Sequence, residues 1–439
     1  MAITKQQQPT TPNQANADLL YVLTSTNTNQ PQFQFVMEVS DGTDTFTFKQ
    51  QPNPSNKGVF NLGQIARDFV DVDGVWKTQK ISTSSLGSTT LTPVFYEEYG
   101  TSTTSSVAYH NGTSGSAVYL LNGVVEYDSG DWNFASSSFY TSSIAPTGGG
   151  ADFGGLQHGL SNSPLTQSIR DDEYQTLSII NGNFDGSDTN AQDIYYIQVN
   201  VYNEAGSNIQ NFGWFNTIAN GGGPRTNDGE EWGDVFSGVN DSNRLIHVAA
   251  GPQNFADAGN TLNTNWYSYK VTLVGQESAG IEDNGAQYAQ MWFTKQTPEC
   301  DYNGTRFAFL NEVGGWDYFT FPYADSKSDN ITRQTYEQTF VNYSTTTNGV
   351  TYDKSRRGSK VYSISYQESR VAESDFLSQA EADWLRELVE SPEVYVQSGT
   401  DFLPVVVEDT SFSYKTNPRT QKLYRLTLRY RMANTRRSR

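Results

Sequence analysis

The chain has one cysteine, Cys300, and three histidines, His110, His158 and His247, in 439 residues. A single thiol excludes an intrachain disulfide and any zinc site built on several cysteines. The histidines are scattered without metal-ligand spacing, so they give no support to a histidine-based zinc centre. Leucine is scarce, and no apolar run approaches the roughly 20 residues of a membrane-spanning helix. No membrane insertion is expected. The first residues, Met1 to Gln8, lack the apolar stretch of a signal peptide, so no secretion signal is expected. Also missing are a Gly-x-Ser-x-Gly elbow, a Walker loop and a dinucleotide fingerprint. No cofactor, metal site or catalytic residue is expected.

Tyr, Phe and Trp are plentiful, at 13% of the chain, alongside abundant Thr, Ser, Asn and Gly. Aromatic and β-branched residues suit a pleated, half-buried surface, and Gly, Asn and Asp supply tight turns. The expected fold is mainly β: tandem β-sandwich-like domains with few short helices, closed by a C-terminal α+β unit with one helix packed on a sheet. Four segments are expected. Residues 1–17 form a flexible arm, 18–150 and 151–298 two β-rich domains joined near Gly148-Gly149-Gly150, and 299–439 the α+β domain with a basic tail.

Local patterns place individual elements. Phe33, Phe35, Met37 and Val39 alternate, Asp41-Gly42 signals a hairpin turn, and Phe46-Thr47-Phe48 alternates again. Leu62, Ile65, Ala66 and Phe69 share a helical face behind Asn61, a candidate N-cap. The clearest strand runs from Asp193 to Tyr202 and turns at Glu204–Ser207. Gly314-Gly315 lies between two aromatic runs and predicts a hairpin. Ser378 and Glu381 form a capping box, with Leu377 as its staple. Trp384, Leu385, Leu388 and Val389 then make an apolar stripe, and Pro392 ends the helix.

The formal net charge is −19. A chain this acidic is not expected to bind nucleic acid, which requires an excess of Lys and Arg. The charge is uneven: residues 401–439 carry nine Lys/Arg against three Asp/Glu. Arg429, Arg431, Arg436, Arg437 and Arg439 are therefore candidates for docking on an acidic neighbour. Acidic clusters occur at Glu97-Glu98, Asp171-Asp172-Glu173 and Glu230-Glu231. Adjacent acids on a strand point to opposite faces, so these do not make catalytic pairs, and a solvated surface is the simpler reading. Asn181-Gly182-Asn183-Phe184-Asp185-Gly186 has the alternating oxygens of a calcium loop. It lacks the closing Glu at Gln192, and an ordinary turn is the better reading. Trp214, Trp232 and Trp266 lie in or beside loop-rich segments and are candidates for stacking on sugars.

Several segments together resemble virion structural proteins of tailed bacteriophages, especially those known from marine metagenomes. They are Tyr21-Val22-Leu23-Thr24 to Asn29, Gly58-Val59-Phe60 to Val70, and Tyr174-Gln175-Thr176-Leu177-Ser178. Arg306 to Phe321, with Gly314-Gly315-Trp316-Asp317 at its centre, and the Trp384-to-Tyr395 helix and strand complete the set. The resemblance implies a non-enzymatic structural component of the particle, in the tail, collar or baseplate. It would be made in the host cytoplasm and assemble in symmetric copies with itself and with other virion proteins. It carries over no functional residue. A receptor- or host-glycan-binding module on the virion is the first alternative, and a glycan depolymerase the second.

Overall fold

In the computed structural model all residues are described except 1–2, 12, 41–43, 85, 124–158, 181–193, 217–244, 279–280, 297–303, 324–325, 339–340, 353–357, 409–424, 435 and 439. The chain is mainly β, with several sheets and few short helices, as its composition predicts. It divides into two compact units. One contains residues 1–297 and 308–318, the other 298–307 and 319–439.

In the first unit, Leu20–Thr24 pairs antiparallel with Lys57–Asn61 and with Thr4–Gln7. A four-stranded sheet holds Ala108–Ser114, Val94–Tyr99, Gln34–Ser40 and Thr45–Gln50 in that order. The alternation of Phe35, Met37 and Val39 sends these side chains into one core with Tyr21, Leu23, Phe60 and Phe95. Gln34–Ser40 and Thr45–Gln50 form the expected hairpin, although its Asp41-Gly42 turn lies outside the described residues.

The expected helix after Asn61 is short: Gly63–Ala66 is α-helical and Arg67–Phe69 continues as a 3-10 turn. The Asn61 side chain does not cap it from the N-cap position, which Leu62 occupies. Its Oδ1 instead accepts from Gly63 N and from Leu19 N, tying the turn to the neighbouring strand. Competition of this kind between an Asn side chain and the helix is ordinary for short polar residues.

A second core lies between two further sheets. One orders Thr166–Ile169, Ile281–Lys295, Ser268–Ser278, Ile194–Tyr202 and Asn208–Phe215. The other orders Thr176–Ile180, Leu245–Ala249 and Ile81–Thr83. Ile197, Val199, Val201, Val271, Leu273 and Phe293 meet Leu177, Ile179, Ile246 and Val248, with Phe255 from the short helix Pro252–Asp257.

Two expected boundaries give way here. Residues before 18 are not a free arm. Thr4–Gln7 is a strand, Asn13–Gln14 pairs parallel with Leu120–Leu121, and Ile3, Ala15 and Ala17 are buried. The 18–150 and 151–298 segments are not separate either. Ile81–Thr83 pairs with Ile246–Val248, and Tyr119 and Leu121 share a core with Leu160, Ile180 and Leu245. Sequence-distant pairing of this sort leaves no local mark, so a glycine run was the better signal and the wrong one. Gly148–Gly150 itself lies outside the described residues.

The second unit is built on an eight-stranded sheet. Its order is Trp316–Phe321, Thr305–Leu310, Val394–Ser398, Asp401–Val407, Thr427–Met432, Ser359–Glu373 and Ser326–Glu337, with Arg436–Ser438 also beside Ser359–Glu373. The turn half of the 305–321 hairpin, residues 308–318, groups with the first unit. The helix Gln379–Glu390 begins on the expected box: Ser378 Oγ accepts from Glu381 N, and the Glu381 carboxylate accepts from Ser378 N. Trp384, Leu385 and Leu388 are buried, and the Trp384 ring meets Phe319 at 6.0 Å. Among the described residues no helix is long and apolar enough to cross a membrane.

Candidate assembly surface

Among the described residues the least covered element is a ribbon. Ser326–Glu337 pairs antiparallel with Ser359–Glu373 over twelve residues, and every residue of the first strand is exposed. At about 3.3 Å per residue the paired length approaches 40 Å. A small hairpin, Val341–Ser344 with Gly349–Tyr352, lies between the two strands in sequence. A two-stranded ribbon is marginal alone in water. This one is anchored at its base, where Thr427–Met432 pairs with residues 369–373 and Arg436–Ser438 with residues 364–366. Among the described residues the outer edge of Ser326–Glu337 has no neighbouring strand.

The two faces of the ribbon differ, because directly opposed residues project to the same side. One face carries Ser328, Asn330, Thr332 and Gln334 against Ser369, Gln367, Ser365 and Ser363. The other carries Lys327, Asp329, Ile331 and Arg333 against Arg370, Glu368, Tyr366 and Ile364. Asp329 and Glu368 thus sit opposite one another. Burial works against the Glu368 carboxylate, but Lys327 and Arg370 on either side outweigh it and hold its pKa below the ordinary carboxylate value. Ile331 and Tyr362 are about half exposed, and at the small hairpin Tyr343 opposes Val350 with both rings and branches open to solvent.

The basic candidates are distributed around this sheet. Arg429 and Arg431 lie on Thr427–Met432, and Arg431 forms an ion pair with Glu408 of its own chain at 3.6 Å. Arg436 and Arg437 lie on a strand that pairs with Tyr366 and Ser365. Arg436–Ser438 is therefore a strand of its own sheet. Arg439 lies outside the described residues.

Two of the three tryptophan candidates are corrected. Trp214 and Trp266 belong to the second core and are 6% and 4% exposed, so neither face is open to a sugar. Trp266 Nε1 donates to Asp171, and Lys295 closes the group by pairing with Asp171 at 2.8 Å and lying over the Trp266 ring. Trp232 lies outside the described residues, as do Cys300, His158, Glu230, Glu231 and the Asn181–Gln192 loop.

Glu97, Glu98, Asp171 and Glu173, acids that could have served hydrolysis, are tied to their own partners. Glu97 accepts from Ser25, Asn27 and Asn111, while Glu98 pairs with Lys49 at 2.6 Å. The two therefore serve separate groups, as neighbours on the strand Val94–Tyr99 should. Glu173 accepts from Arg170 N. Among the described residues no cluster of three or more His, Cys, Asp or Glu could hold a metal.

His247 is buried on the strand Leu245–Ala249, where its Nδ1 lies 3.0 Å from Ser178 Oγ and its Nε2 has no hydrogen-bond partner. Ser178 Oγ also accepts from Trp316 N. A serine and a histidine in contact invite a nucleophilic reading, but both are closed off from solvent, and a substrate has no access. Burial pushes the imidazole down to about 4, with nearby Asp73 acting in the opposite sense. It is a neutral structural histidine.

No known family matches the chain, and no curated protein is similar to it.

Proposed function

We propose that the protein is a non-enzymatic structural component of a tailed-bacteriophage virion, in the tail, collar or baseplate, that works by presenting interfaces to other copies and to other virion proteins. The ribbon Ser326–Glu337/Ser359–Glu373 carries the assembly part of this reading. Monomeric proteins blunt or cover long edge strands, because an exposed row of backbone donors and acceptors recruits other chains. A ribbon exposed on one whole strand and along one edge is a surface waiting for a partner. The phage assignment rests on the segments that resemble virion proteins, among them the Arg306-to-Phe321 hairpin and the Trp384-to-Tyr395 helix and strand. The test is direct. Mass spectrometry of purified particles should find the protein at a stoichiometric copy number, and its absence from intact particles would overturn the reading.

A receptor- or glycan-binding role has one observation in its favour. An open hollow of about 530 Å³ is lined by Thr28, Gln30, Gln32, Gln34, Gln51 and Asn56, with Phe33 and Pro52. Gln32 and Asn56 hold positive φ values of 61° and 57°, a left-handed conformation that asparagine tolerates and that costs glutamine more. Amides arranged in this way can hydrogen-bond a sugar's hydroxyls. Binding on a glycan array that is lost when Gln30 and Gln51 are changed to Ala would support this role over a purely structural one.

A further inference from the structure

The outer edge of the ribbon has a property that its exposure alone does not require. Asp329, Ile331 and Arg333 project to the same face of Ser326–Glu337. Among the described residues, Asp329 and Arg333 have no ionic or hydrogen-bonding partner. They cannot satisfy each other, since four residues along a strand separate them by about 13 Å. Two unpaired charges of opposite sign, set symmetrically about one exposed isoleucine, form a self-complementary pattern.

We propose that two copies of this chain associate by antiparallel pairing of their Ser326–Glu337 edges about a two-fold axis at Ile331. In that register Asp329 of each copy faces Arg333 of the other, and the two Ile331 side chains meet at the centre. Ser328 lies opposite Gln334 and Asn330 opposite Thr332, so the polar face continues across the junction. Residues 326–334 pair with Ser359–Glu373 without interruption, and the irregularity falls between Gln334 and Thr335. The segment needed for the new pairing is thus a regular strand, with backbone groups already set for a ladder. Those backbone hydrogen bonds supply the attraction, and the side chains select the register. Centring the axis on Asn330 would set Lys327 against Arg333. Centring it on Thr332 would leave Asp329 opposite Thr335. Only the Ile331 axis places both charges opposite their complements, which is the isologous arrangement a closed dimer needs. In the single chain Asp329 faces the like charge of Glu368, and the incoming Arg333 offsets that repulsion.

This inference names the partner for the assembly surface described above, and it stands or falls independently of where the protein resides. The experiment uses the purified full-length chain, with mass measured by light scattering and sedimentation over a range of concentrations. The wild type should form a dimer at accessible concentrations. Asp329→Arg sets arginine against arginine at both crossings, and Arg333→Asp sets aspartate against aspartate. Each should raise the dissociation constant roughly tenfold or more, with unchanged circular dichroism. Mixing the two variants restores opposite charges at both crossings and should restore the dimer, as should the double variant D329R/R333D. A wild type that stays monomeric throughout would overturn the proposal. So would a dimer indifferent to either single change, or variants whose mixture remains monomeric. A monomer that is nevertheless found in particles would sink this pairing and leave the virion reading intact.

Discussion

At the scale of single residues, two buried polar side chains act as structural fixtures. His247 is the sharper case. Its ring is neutral when folded, with a pKa near 4, and would return toward 6.5 when unfolded. The unfolded chain therefore binds the extra proton between these values. Stability contributed by keeping His247 neutral is fully present above about pH 6.5 and is lost as pH falls toward 4, by roughly 3 kcal/mol in total. His247→Gln removes that proton site, so its stability should fall less steeply than the wild type's between pH 7 and pH 4. Urea unfolding at several pH values measures the difference, and parallel curves would contradict the assignment. Asn311 is a second fixture. Its Oδ1 accepts from Val313 N and Gly315 N, and its Nδ2 donates to Leu160 O at 2.6 Å. The Gly-Gly turn was legible from sequence, but the amide that holds it was not, because its acceptor lies 151 residues away. Gly315 must be glycine here, since a Cβ would fall 2.0 Å from that same carbonyl oxygen.

At the scale of elements, local chemistry is most legible in the sequence where it is self-contained. The helix Gln379–Glu390 starts at its capping box, buries its stripe and stops before Pro392, all within one stretch of chain. Ser378→Ala should cost the second unit about 1 kcal/mol, measured as a shift in its urea midpoint, because one first-turn N–H loses its acceptor. Ser378→Asp should restore most of it. The ribbon shows the opposite situation. Its sequence alternates enough to predict a strand at Val361–Tyr366, yet nothing in it announces that Ser326–Glu337 would be left without a neighbouring strand on its outer edge. That strand's run of charged and polar residues, broken only by Ile331 and Tyr336, suits an exposed strand, but backbone groups look the same in sequence whether or not a neighbour pairs with that edge. The tryptophans failed for a related reason. Trp214 and Trp266 lie near polar loops in sequence, but the strands around them carry both into a core.

At the scale of the whole chain, charge sets behaviour in solution. The net charge of −19 and a pI near 4.5 make copies repel one another at neutral pH. The edge pairing must therefore act against a general repulsion, which added salt screens while also weakening the Asp329–Arg333 contacts. Turbidity of the purified protein should peak near pH 4.5 and fall away on either side. A maximum displaced to neutral pH would show that exposed apolar surface, not net charge, limits solubility. The basic C-terminal segment does not behave as a separate charged tail, since Arg436–Ser438 is a strand of its own sheet and Arg431 is already paired with Glu408.

By itself the sequence determined the mainly β character, the hairpins at Gln34–Gln50 and Thr305–Phe321, and the capped helix. Each depends on residues within reach of one another along the chain: a period of two, a turn or a cap. Only the tertiary structure decided that residues before 18 would be strands of the first unit and that Ile81–Thr83 would join Leu245–Ala249. It alone decided that Trp214 and Trp266 would be buried and that Ser326–Glu337 would be left open. These outcomes depend on which strands meet across long separations, and backbone hydrogen bonds, being the same for every residue, leave no trace of that choice in the sequence.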